Sequence, residues 1–222
     1  MSGAGYFKNI GRTKRQGLDF GLNGSLDRFV WGASYSLVRA TYDSDVDFVS
    51  GSNSAGFATD GIISVKPGDR IPAIPQHQLK LRGQFKVTPS WNIGANLVAY
   101  SSQYVIGNEN NAHRANAVDC AGGDECAVGK GKVSGYTVVN LDTQYDFGNG
   151  WKMFAKATNI FDREYNIAGR LAESLFDSSG VLQSEDSKVL SLLPGPPRAA
   201  WLGFRYNFGG PKKTAASLDV DN

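Results

Sequence analysis

No part of this 222-residue chain approaches the 18 or more consecutive apolar residues of a membrane-spanning helix, so any embedding in a bilayer must use strands. Net charge is nearly absent as well. With 23 basic against 21 acidic residues, the chain lacks the basic excess of a nucleic-acid partner. Only His77 and His113 are histidines, and neither stands at zinc-like spacing from Cys120 or Cys126. Asp43, Asp45 and Asp47 begin like a calcium loop, but Phe48 occupies the position that needs glycine and Ser54 the one that needs glutamate. They read as a solvated acidic loop. Gly129-Lys130-Gly131 fails as a phosphate loop, because five residues separate Gly123 from Gly129 and no Ser or Thr follows the lysine. No nucleophile, base and acid occur at a recognisable catalytic spacing, so the chain does not read as an enzyme, and no metal or cofactor is expected. The opening Met1-Ser2-Gly3-Ala4-Gly5-Tyr6-Phe7-Lys8 has no apolar signal-peptide core. A secreted barrel should carry one, so either export information is missing or this is the rear part of a longer protein.

Glycine (27), phenylalanine (12) and tyrosine (9) are plentiful, which favours strands and tight turns. Three tryptophans recur in one context. Trp31, Trp91 and Trp151 each follow a short polar turn and open a run with apolar or small residues at every second position. Such a period puts one set of side chains on one face of a strand. Seven runs of this kind span roughly 16–26, 30–41, 78–87, 91–100, 136–147, 151–161 and 198–208. In the third, Leu79, Leu81, Phe85 and Val87 alternate with Gln78, Lys80, Arg82, Gln84 and Lys86.

The lengths fit a bilayer. Ten steps from Trp151 to Phe161 cover about 33 Å at roughly 3.3 Å each, and a tilt of about 45° brings this near the apolar band of about 25 Å on a membrane barrel. An aromatic at the same height on alternate strands suits the water–lipid boundary. Connections alternate short and long. The joins at 43–77, 101–135 and 162–197 run to about thirty residues or more, as extracellular loops do, and the others match short periplasmic turns. A soluble sandwich also alternates, but has no reason to gather its long loops at one end. The expected fold is all-β: an antiparallel up-and-down transmembrane barrel segment of about seven strands. Single-chain bacterial barrels use an even number, and an open edge in lipid leaves unpaired backbone groups costing several kcal/mol each. Residues 1–208 are therefore expected to be the C-terminal portion of a larger barrel. The polar stretch 209–222 is expected to be a disordered periplasmic tail.

The heptapeptide Asn159-Ile160-Phe161-Asp162-Arg163-Glu164-Tyr165 resembles the Asn-Leu-Phe-Asp-x-x-Tyr motif near the C-terminus of TonB-dependent outer-membrane receptors. The motif residues here are Asn159, Phe161, Asp162 and Tyr165. The segments 12–19, 71–79, 134–141 and 194–208 are similar to strand entries and the closing strand of that family. Gly203, Tyr206 and Phe208 resemble its barrel-assembly signal. The resemblance implies a Gram-negative outer-membrane barrel with a plugged lumen, importing a scarce nutrient, most often a ferric siderophore. It also implies several partners: outer-membrane lipid, the remaining barrel and plug, TonB and the barrel-assembly machinery. Neither a plug nor a TonB-contacting box is found in this sequence, so this polypeptide is not expected to transport alone. The competing readings are a passive porin-like barrel piece and a non-functional product of a split gene.

A cell-surface position favours a local disulfide between Cys120 and Cys126. His113 with Arg114 is a candidate ligand contact in the same loop. Lys80, Arg82, Lys86, Lys152 and Lys156 share the non-lipid face with Asp142 and Asp146, as a polar wall towards water and plug would.

Overall fold

The computed structural model describes residues 11–115, 129–176 and 180–208. In chain order its strands are β1 (Thr13–Leu26), β2 (Phe29–Tyr42), β3 (Val46–Val49), β4 (Ile62–Val65), β5 (His77–Thr88), β6 (Trp91–Tyr100) and β7 (Gln103–Tyr104). Then come β8 (Lys132–Val133), β9 (Tyr136–Asp146), β10 (Trp151–Thr158), β11 (Asn166–Phe176), β12 (Leu182–Pro194) and β13 (Ala199–Tyr206). Seven of them form one open antiparallel sheet in the order β1-β2-β5-β6-β9-β10-β13. These are the seven runs legible in the alternation.

Register carries the alternation across the sheet. One row joins Phe29, Phe85, Ile93, Thr143, Ala155 and Leu202; another joins Leu22, Ala33, Leu81, Leu97 and Val139. The opposite face carries Asn23, Gly32, Arg82, Asn96 and Asn140 in a single row. Because side chains alternate strictly between faces, a slip of one residue would put every one of these on the wrong side. Among the described residues nothing covers the apolar face: Leu18, Leu202 and Phe204 are 61, 60 and 59 % exposed. A face this large and uncovered is a surface for lipid, and its residues form the outward side of the wall. A shallow hollow of about 990 Å³ lies on this side, where Gly83, Ala95, Ala155 and Ala157 leave room between Phe29, Phe85 and Leu202.

At the short-turn end the outward aromatics form a girdle. Trp151 stacks on Tyr206 with ring centroids 4.9 Å apart, Tyr206 meets Phe208 edge-on at 4.8 Å, and Tyr145 meets Phe147 at 4.9 Å. Trp31 lies beside Gly24, where any Cβ would strike the indole. The Trp91 Nε1–H donates to Thr143 Oγ1 at 2.9 Å, a bond that turns the ring across the neighbouring strand. Trp91→Phe keeps the apolar ring and removes only that bond. The expected loss is about 1 kcal/mol in the urea midpoint of the detergent-folded protein; a loss above about 3 kcal/mol would mean that the indole does more than sit at the interface.

Two boundaries differ from the alternation by three residues, the others by two or fewer. The first strand starts earlier, at Thr13, and the sixth stops at Thr158 rather than 161. It stops because Asn159 and then Asp162 take left-handed backbone conformations (φ 48° and 50°), which a strand cannot continue. The long connections also contain structure of their own. β3 pairs with β4, β7 with β8, and β11 with β12. Beside β3 and β4 the three acids go to separate partners: Asp43 to Arg12 at 3.9 Å, Asp45 to Lys66 at 2.9 Å and Asp47 to the Ser64 hydroxyl at 2.7 Å. The hydrogen bond and charge of Asp45 hold the Lys66 pKa above its ordinary value.

Candidate functional site

The heptapeptide 159–165 forms a corner between β10 and the base of the β11–β12 hairpin, and it is tied to β9 and to the entry of β13. Asn159 is 2 % exposed and makes all its side-chain bonds. Its Nδ2 donates to Arg163 O at 2.9 Å and Pro196 O at 3.3 Å, while its Oδ1 accepts from Arg163 N at 2.9 Å. Its own backbone N–H donates to Asn140 Oδ1 at 2.9 Å. Asp162 accepts from Arg198 N at 3.2 Å and meets the Arg198 guanidinium at 3.3 Å. Tyr165 lies 4.5 Å from the Tyr136 ring, which lies 5.2 Å from Tyr100. Gly195 leaves room for it, since a Cβ there would overlap the Tyr165 ring. Phe161 is 75 % exposed. Asparagine suits the corner because it tolerates a left-handed backbone and carries both a donor and an acceptor.

Above the wall, the three long connections meet around the segment 103–113. Gln103 Nε2 donates to Ile167 O, Ile106 N to Gly169 O, Leu171 N to Ile106 O, and Ala73 N to Tyr104 O. Val105, Val133 and Leu171 are buried together, with Leu190 packed against them. The polar half of this small core is held by two fully buried asparagines. Asn53 Nδ2 donates to Gly107 O at 2.8 Å, and Asn108 bridges Gly131 O (2.9 Å) and His113 N (3.0 Å). Gly131 has φ 62° and packs against Asn108 and His113, so the Gly129-Lys130-Gly131 turn is a structural part of this platform. Lys132 Nζ lies 4.4 Å from the centroid of the Tyr104 ring, and the Arg70 guanidinium 5.7 Å from it.

Between this platform and the tops of the strands lies a cavity of about 340 Å³, bordered by Gln78, Tyr100, Gln103, Tyr136 and Ile167. Aromatic walls with a few amides make a volume of this size suited to a small ligand or part of a larger one. The candidate contacts named from the sequence sit to one side. His113 is buried at 4 % exposure, and its Nδ1 accepts from Ser54 N at 3.2 Å, so it braces the platform from within. Arg114 is exposed, with its backbone N–H donating to Ser54 Oγ. Cys120, Cys126 and the stretch 209–222 lie outside the described residues. Of the last-strand positions, Gly203 lies beneath the Phe154 ring, and Tyr206 and Phe208 belong to the outward girdle. The buried Asn53, Asn108 and Gln103 were not singled out from the sequence. The run Asn108-Glu109-Asn110-Asn111 carried the signal for a tight polar turn there.

Residues 2–160 match the family described as TonB dependent receptor-like, beta-barrel. The chain belongs to that family. Members are outer-membrane proteins of Gram-negative bacteria and are transport receptors. None of the curated proteins compared matches the sequence. Among solved structures, the chain is similar to the siderophore receptor PiuA from Acinetobacter baumannii, with 16 % identity and a TM-score of 0.59 over 89 % of this chain and 22 % of that one. It is similar to the ferric yersiniabactin uptake receptor FyuA from Yersinia pestis, with 12 % identity and a TM-score of 0.59 over 90 and 24 %. A third is the ferric citrate transporter FecA in the unliganded form, with 19 % identity and a TM-score of 0.54 over 87 and 24 %. At these identities the likeness concerns the fold. The chain spans about a quarter of the length of these structures or less.

In a TonB-dependent receptor barrel the polar face of the wall is the luminal one. Lys152 there meets Asp146 at 2.8 Å, Arg82 donates to Asn23 Oδ1 at 3.0 Å, and Lys156 lies 5.9 Å from the Trp201 ring centroid. These three luminal cations are thus engaged with wall partners.

Proposed function

We propose that this wall is the C-terminal part of a receptor that binds and imports a scarce nutrient, a ferric siderophore being the class favoured. The single supporting observation is the cavity beneath the three-loop platform, at the extracellular mouth of the polar face. There Tyr100, Tyr136 and Gln103 border a space of about 340 Å³. Flat aromatic and amide walls suit the planar rings and amides of an iron chelate. The loops at 43–77, 101–135 and 162–197 form part of the ligand vestibule, with Arg114 presented to solvent and His113 holding it in place. The plug and the TonB contact belong to the rest of the receptor. The barrel-assembly machinery acts through the closing strand with Gly203, Tyr206 and Phe208.

The test is uptake of radiolabelled iron as ferric siderophores into iron-starved cells that depend on the whole receptor. Uptake should require TonB, and Tyr100→Ala combined with Tyr136→Ala should weaken binding about tenfold, the size expected for losing one or two aromatic contacts. Uptake that persists without TonB would support a passive pore instead.

A further inference from the structure

The cavity of about 340 Å³ under the loop platform is polar but uncharged. None of the residues that border it is Asp, Glu, Lys, Arg or His. What it offers is neutral hydrogen-bonding capacity that the protein itself leaves unused. Gln103 is only 9 % exposed, and its Nε2 donates to Ile167 O at 2.8 Å. Its carbonyl oxygen has no partner among the described residues, and neither have the Gln78 amide or the Tyr100 and Tyr136 hydroxyls. Among those residues every side-chain polar atom that is sealed off is bonded, so these groups open onto the space they border. Polar groups held this close to the interior without a partner call for one from outside.

The wall beside the cavity adds no net charge. Register puts Gln78, Tyr100 and Tyr136 in one row of the polar face with Ser36 and Asp19, and the next row holds Lys80 beside Val98 and Val138. Lys80 stands two residues from Gln78, about 7 Å along the strand. One acid and one cation therefore flank the site and cancel. A ligand that enters gives up water, and an anionic group would do so where no opposite charge faces it. Iron chelates divide on this point. Three hydroxamates, each singly negative, neutralise a ferric ion, whereas three catecholates leave three negative charges. Hydroxamates are also planar amide units, which lie flat on a tyrosine ring. Their oxygens accept from the phenols and the Gln78 amide, and a scaffold N–H supplies the donor that the Gln103 carbonyl lacks. Tyr165 extends the aromatic surface beyond Tyr136, with ring centroids 4.5 Å apart.

We propose that this cavity selects an uncharged ferric hydroxamate against anionic chelates, with Gln78 and Gln103 as the residues that set the choice. The inference rests on the reading of the wall as part of a ferric-siderophore receptor and narrows the ligand class of that same site.

The test uses the whole receptor purified in detergent and two radiolabelled probes, ferrichrome as the uncharged trishydroxamate and ferric enterobactin as the triply anionic triscatecholate. Equilibrium dialysis should show the wild type holding the trishydroxamate at least about tenfold more tightly. Gln78→Lys should move the ratio of the two affinities about tenfold towards the triscatecholate, and Gln78→Glu should move it the other way. A purely steric role for Gln78 would shift both variants in one direction. Gln103→Leu should weaken the trishydroxamate about tenfold by removing its acceptor. Heat-modifiable migration on gels monitors the folded barrel in every variant. The proposal is overturned if the wild type binds the triscatecholate as well or better, or if the two charged variants leave the ratio unchanged. A preference for the triscatecholate defeats only the choice by charge, whereas a receptor that binds neither complex defeats the siderophore reading beneath it.

Discussion

Asn159→Ala is expected to lower the unfolding free energy of the detergent-folded receptor by about 3 kcal/mol, the largest effect of any single substitution in the wall. The side chain serves three backbone groups, Arg163 N, Arg163 O and Pro196 O, from a position that is 2 % exposed. Alanine leaves all three unpaired where water has little access, at about 1–3 kcal/mol for each group that finds no substitute partner. It also imposes a Cβ-bearing apolar residue on a left-handed backbone, at about 1 kcal/mol relative to asparagine. Asn159→Asp separates the contributions. It preserves the acceptor for Arg163 N but turns the donor towards two carbonyls into a repelling oxygen, so it should also destabilise. Asn159→Gly removes the backbone strain and should recover about 1 kcal/mol of the alanine loss. The measurement is the urea midpoint of the heat-modifiable band. An alanine variant within about 0.5 kcal/mol of wild type would mean that the corner is held by the Asp162–Arg198 pair and the tyrosine stack alone.

Asn108→Leu should open the loop platform without loosening the wall. The side chain is fully buried and joins Gly131 O to His113 N across the connection between β6 and β9. Leucine keeps the branched heavy-atom skeleton, is somewhat bulkier and satisfies neither group, so the local cost is about 3 kcal/mol, which corresponds to roughly a hundredfold rise in the open population. In intact cells, protease cleavage within 101–135 should rise by that factor, because cutting of a transiently opened segment follows its population. The midpoint of the wall should stay within about 0.5 kcal/mol, since the hydrogen bonds of Asn108 run to Val105, Asn111, His113 and Gly131, all outside the seven-stranded sheet. Unchanged protection would show that the platform is held by Val105, Val133 and Leu171 without the amide. Ligand binding should fall together with protection, because the same platform roofs the tyrosine cavity.

The seven wall strands were readable because alternation is a local property. Leu79-Lys80-Leu81-Arg82 states its two faces without reference to any neighbour. Turn chemistry was local too: Asp27 with φ 49° and the glycines at 148 and 150 close their hairpins within a few residues. The end of β10 was not readable in the same way. Phe161 continues an apolar pattern, and only the bonds from Asn159 to Pro196 and Asn140, 37 and 19 residues away, turn the chain before it. The pairs in the long connections were missed for a related reason. The strand β12 mixes Leu182-Gln183-Ser184-Glu185-Asp186-Ser187 with Leu190-Ser191-Leu192-Leu193, and its first half has no apolar period to mark a face.

His113 illustrates the same limit at the level of a site. Beside Arg114 in a polar loop, it looked like a pair of ligand contacts; burial then placed the ring in the platform, against Ser54 and Asn108, and left the arginine outside. Residue order alone thus settled that this is a membrane wall, which way its faces point and which end bears the loops, since those depend on side chains two residues apart and on spacing. Which buried amides hold the loops together, where the tyrosines enclose a cavity and which cations meet across strands depended on contacts between residues tens of positions apart, and only the folded arrangement brings those into reach.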